Sequence, residues 1–156
     1  MTEAVVAGAL AVAVLNAIPG LLGAWVWHRA DPPADRSATN AFWVLLRVGQ
    51  GSALTLAIAL GSLAAAGKDA SEQLFYLYAL LPLAVGFVAE QLRVTSAQTI
   101  LDQRDLESAQ AVGSLPESEQ HEIVATVLRR EVGVMALSAL VVVFLALRAA
   151  GTAHGF

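Results

Sequence analysis

The apolar positions of the chain gather into four long runs, and the polar positions collect between them. A bilayer core about 30 Å thick takes about 20 mostly apolar helical residues. Stretches at about 4–27, 41–66, 74–92 and 132–147 meet or approach that length. An unclosed sheet cannot satisfy its backbone in lipid, and the strict alternation of a barrel strand is missing, so the runs predict helices. The expected architecture is all-α: an integral membrane four-helix bundle, one domain over residues 1–156.

The polar segments differ from one another. "RADPPADRSATN", 29–40, predicts a short polar linker, with Pro32 and Pro33 stopping the first helix. "GKDASEQ", 67–73, predicts a tight turn. After Leu92 the chain reads "RVTSAQTILDQRDLESAQAV", which holds neither Gly nor Pro and predicts an unbroken helix up to Gly113. Ser114 and Glu117 have the spacing of a capping box, with Pro116 in the first turn of the next helix. The third and fourth helices are therefore expected to extend, over about 93–131, into an antiparallel hairpin. Each arm would run roughly 15–20 residues, closed on itself by Ile100, Leu101, Leu106, Val112, Ile123 and Val127.

Within the spans, spacing suggests where helices meet. Ala9, Ala13, Asn16, Gly20, Gly23 and Trp27 form one line on the first helix. Trp43, Arg47, Gln50, Leu54, Ala57, Gly61 and Ala64 form another on the second. In lipid, helices associate through close approach of small residues and through polar contacts, so both lines predict packing seams. Pro19 and Gly23 in the first helix are echoed by Pro82 and Gly86 in the third, a repeat that chance in so Ala- and Gly-rich a chain explains equally well.

Composition agrees with this pattern. Hydrophobic residues make up 57% of the 156, charged residues 14%, and the mean hydropathy is +0.65. Soluble domains carry about 25% charged residues. The nine Lys and Arg form no basic stripe, which argues against nucleic acid as a partner. Cysteine is absent, so thiol catalysis, iron–sulfur clusters and Cys-rich zinc sites are excluded. The N-terminal apolar run has no basic region before it and is too long for a signal-peptide core, so it reads as a retained membrane helix.

Charge also suggests orientation. Arg29, Arg36, Arg47, Arg93, Arg104, Arg129 and Arg130 fall on the side of the first and third connections, against Lys68 and Arg148 on the other. By the positive-inside rule the first and third connections are cytoplasmic and both termini are not. Trp25, Trp27, Trp43, Tyr76 and Tyr78 lie near the expected interfaces, as aromatic belts do.

The candidate chemistry is sparse. Arg47 and Gln50 interrupt the second span, Glu90 lies just inside the third, and Arg93 and Glu131 sit at the mouths of the third and fourth. Charges in a membrane are costly and usually partnered. An Arg47–Glu90 pair with Gln50 beside it, and Glu131 and Arg93 at its edge, is the expected cluster, in which the guanidinium fork could hold both carboxylate oxygens. Three uses stay open for it: an ion pair that orients helices, a polar cavity for an anionic or zwitterionic group, or a proton or ion relay through Glu90. Asn16 is a separate mid-membrane polar position suited to helix packing.

His28, His121 and His154 are dispersed, and no span carries the Glu-x-x-His pattern of di-iron bundles, so no cofactor or metal is expected. Glu117 and His121 are one helical turn apart, but a solvated charged surface explains them. No hydroxyl has a basic partner at its own depth, so no catalytic residue is expected. The leading expectation is a structural or accessory subunit or a homo-oligomer of the inner or plasma membrane. Its partners would be the bilayer, further copies or a partner subunit. The alternatives are a small transporter or ion-conducting oligomer, and a lipid- or quinone-binding membrane protein.

Overall fold

The structure, a computed structural model, describes residues 2–29, 36–106 and 109–153. Among them there is no strand. The helices are α1 (Thr2–His28), α2 (Arg36–Ala65), α3 (Gln73–Gln103), the single turn α4 (Ala109–Val112) and α5 (Glu117–Thr152). Four of these, all but α4, are long and apolar enough to cross a membrane.

The helices overrun the hydropathic runs at most ends. Hydropathy marks the part suited to lipid, whereas backbone hydrogen bonding continues into polar sequence. Thus α2 already includes Arg36 to Asn40, which shortens the linker expected at 29–40. Pro32 and Pro33 lie outside the described residues, and α1 ends at His28. Pro19 and Pro82 lie inside α1 and α3 without ending them. Neighbouring helices and local adjustment tolerate such prolines in membrane helices.

Two helix ends are built alike. After α2, the Gly67 N–H donates to the Ala64 carbonyl (2.9 Å) and the Lys68 N–H to the Leu63 carbonyl (3.0 Å), with Gly67 left-handed at φ 70°. This is a Schellman end. The same pair of bonds closes α3. Asp105 N–H donates to Asp102 (3.2 Å), Leu106 N–H donates to Leu101 (3.0 Å), and Asp105 is left-handed at φ 53°. The unbroken helix expected up to Gly113 is therefore interrupted at 104–106. Asp tolerates the left-handed region better than most residues and can stand where Gly is usual.

The capping box also fails to form. Pro116 is the N-cap of α5 and no side chain caps it; Ser114 Oγ donates instead to the Ala111 carbonyl at 2.7 Å. With α5 beginning at Glu117, Ser114 lies too far upstream to reach the first free amides. Gln120 Nε2 ties the turn from inside the helix, donating to the Leu115 carbonyl at 2.7 Å. Just past the end of α3, Arg104 Nη2 reaches Glu122 Oε1 near the start of α5 at 2.6 Å, and Ile100 and Ile123 are buried.

The most extensive contact is between α1 and α5; α3 lies on α5 and α2 on α1, while α2 and α3 meet only sparingly. Three apolar clusters follow one another along the helices. One gathers Val26, Phe42, Leu46, Ala89, Val132 and Met135; a middle one gathers Val12, Ala13, Ala53, Val142 and Ala146; the third gathers Val5, Ala9, Leu60, Phe75, Ala79 and Ala149. The seam on α1 is buried from Ala9 to Gly23, with Val26 completing it while Trp27 stays exposed. On α2 the seam is one position away from the expected line. Phe42, Leu46, Gly49, Ala53 and Leu60 are buried, whereas Leu54 and Gly61 are exposed. Adjacent lines on an all-round apolar helix have equal spacing, so periodicity alone does not separate them.

Candidate functional site

Helical geometry puts residues three apart on one face. On α2 this pairs Arg47 with Gln50, and on α3 it pairs Glu90 with Arg93. Arg47 Nη1 donates to Gln50 Oε1 at 2.7 Å and to Glu90 Oε1 at 2.5 Å. Gln50 Nε2 makes a longer contact to the same oxygen at 3.4 Å. The other oxygen, Glu90 Oε2, accepts from Arg93 Nε at 3.0 Å. Arg93 Nη1 then lies 3.8 Å from Glu131 Oε1 on α5. All five residues expected in the cluster therefore meet in one network across three helices.

Its wiring differs from the expected fork. Arg47 does not grip both carboxylate oxygens; Glu90 is the hub, dividing its oxygens between α2 and its own helix. The network carries two positive and two negative side chains and is neutral as a unit. Arg93 also lies over an aromatic face, with its guanidinium 5.5 Å from the centre of the Trp43 ring. That contact had a legible trace, since Trp43 lies one turn before Arg47.

Asn16 stands apart from this network. Its side chain is buried at the α1–α2 contact, where Nδ2 donates to the Val12 carbonyl (2.9 Å) and to the Gly49 carbonyl (3.2 Å). Gly49 makes the approach possible, because a Cβ there would lie 2.7 Å from Asn16 Oδ1. Interhelical bonds of this kind in membranes average about 0.6 kcal/mol and reach about 1.7 kcal/mol. Asn16→Ala is expected to destabilise by an amount in that range, read as a shift of the unfolding midpoint in a detergent titration. An unshifted midpoint would remove the bond from the packing account.

Beside the network, a cleft of about 260 Å³ opens between α2 and α3. Gln50 and Glu90 form its polar end, Leu54, Leu83 and Phe87 its walls, and Asn16 and Ser138 reach its floor. It exists because α2 and α3 barely touch and because Gly86 faces open space. Gly86 thus departs from Gly23, its partner in the repeat, which is held in close contact with α2 and α5. Away from the network, the third apolar cluster joins α1, α2, α3 and α5 through Val5, Ala9, Leu60, Phe75, Ala79 and Ala149.

The chain matches no family model, no curated protein and no solved structure. The functional reading therefore rests on this geometry.

Proposed function

We propose that the chain is a four-span membrane bundle that acts by association rather than by catalysis, as an accessory subunit or a homo-oligomer. In this reading both termini are non-cytoplasmic and the 93–131 segment is a cytoplasmic hairpin. The observation that carries it is the closed wiring of the charge network: each charged member has an opposite charge within 4 Å in the same chain. Such a network orients α2, α3 and α5 and leaves little charge to offer a substrate or ion. An association role also suits α2 and α3, whose most apolar windows are only 22% buried within the chain, against 50% for α5. The seven-to-two distribution of basic residues supports the orientation.

The experiment is mass measurement of the protein released from native membranes in lipid nanodiscs. The expected result is an assembly well above one 16.2 kDa chain, made of copies or of a partner. A lone chain at every concentration, together with ion or solute flux from proteoliposomes, overturns the reading in favour of transport.

A second reading has its own observation. The cleft between α2 and α3, apolar along its walls and polar at Gln50 and Glu90, suits one end of a lipid or quinone. A small hydrophobic molecule that copurifies with the wild type and is lost in Gly86→Leu would favour it.

A further inference from the structure

A second groove, of about 440 Å³, lies on the opposite pairing, between α1 and α5. It is lined by Ala24, Trp27, Gly133, Ala136, Leu137 and Leu140, with the Trp27 indole packed on Gly133 and Ala136 buried at the base. The groove ends at Arg130. From Arg130 to Leu140 is ten helical residues, about 15 Å at 1.5 Å per residue. That is half of a bilayer core about 30 Å thick, the reach of an acyl chain in one leaflet.

The charge at the end of the groove is the second observation. Arg130 is exposed, and among the described residues no acidic group pairs with it. The neighbouring Glu131 is turned toward Arg93. Arg129 lies over the Trp27 ring at 5.8 Å, and Arg29 lies over the Trp25 ring at 3.7 Å. Tryptophan rings sit at headgroup depth in membrane proteins, so these cations are placed where phosphates are. A chain-length apolar groove, ending at that depth on an unpaired cation, matches a phospholipid with a net negative headgroup. A partner helix could cover the small residues, but it would leave Arg130 without its counter-charge.

We infer that the α1–α5 groove is a binding site for one anionic phospholipid, its acyl chain lying along Ala24, Leu137 and Leu140 and its phosphate on Arg130. The full chain is titrated with phosphatidylglycerol and with phosphatidylcholine of the same chain length, and bound lipid is counted by native mass spectrometry. One phosphatidylglycerol is expected to bind about fivefold more tightly than phosphatidylcholine, the preference that a single arginine near the headgroups supplies. Arg130→Gln is expected to abolish that preference and leave phosphatidylcholine binding in place. Arg104→Gln, outside the groove, is expected to keep the preference. Ala24→Leu fills the groove and is expected to weaken both lipids. Undiminished preference in Arg130→Gln overturns the site. So does an Ala24→Leu protein that changes oligomeric state with lipid binding intact, which would give the groove to a second copy of the chain. Arg130 is exposed and packs against no core, so its variant tests the site even where Ala24→Leu does not fold.

Discussion

Gly23→Ala is expected to lower the stability of the protein in detergent by about 1–2 kcal/mol, while Gly86→Ala leaves it unchanged or raises it. A Cβ on Gly23 would collide with the ring of Phe42 and come within 2.8 Å of the Ala136 methyl. Neither neighbour has room to retreat, since Phe42 is fully buried and Ala136 nearly so. Overpacking of that kind costs about 1–3 kcal/mol. Helix propensity offsets up to about 1 kcal/mol of it, because alanine is the better helix former. At Gly86 the propensity gain stands alone, as nothing lies within 4 Å of the added carbon. Both variants are compared with the wild type by unfolding midpoint in a denaturing-detergent titration. Equal shifts for the two would mean that α1, α2 and α5 do not meet at Gly23.

The second large effect is expected at the hub of the charge network. Glu90→Ala leaves Arg47 and Arg93 facing each other without the carboxylate between them, and Gln50 loses an acceptor. Removing one partner of a fully buried ion pair costs about 3–5 kcal/mol. Here Glu90 keeps 26% and Arg47 54% of their side-chain exposure, so about 1–3 kcal/mol is expected for Glu90→Ala. Arg47→Ala should cost less, because Glu90 retains Arg93. Glu90→Gln should fall between, keeping one acceptor oxygen but losing the charge and turning an amide N–H toward one of the two arginines. The double variant Arg47→Ala with Glu90→Ala separates the pair from its surroundings, and a coupling energy near zero would show that the two residues act independently.

The four apolar helices were plain in the sequence, because length and hydropathy impose the same demand wherever lipid is the solvent. The members of the charge network were also legible. Few side chains in these spans are polar, and those at similar depth have one another for partners. Its wiring was not legible, since the division of the Glu90 oxygens depends on side-chain rotamers and on the position of Arg93 over Trp43. The seam on α2 was misplaced by one residue because Phe42 and Trp43 begin lines of identical spacing; the approaches of Phe42 to Gly23 and of Gly49 to Asn16 separate them. The break at Asp105 escaped for a different reason. Glycine is the usual signal for a left-handed helix end, and here an aspartate does that task in a stretch with no glycine.

The dominance of the α1–α5 contact has a consequence for how the protein is made. A ribosome delivers α1 to the membrane about a hundred residues before it delivers the part of α5 that meets Gly23. At about 5–20 residues per second, this is a wait of roughly 5–20 s. Through that interval the small-residue face of α1 has α2 as a native neighbour but not α5, and it is open to other helices in the membrane. Final closure is therefore a late step of biogenesis. Gly20 and Gly23, which meet Leu140 and Ala136 of α5, are the part of that face left waiting.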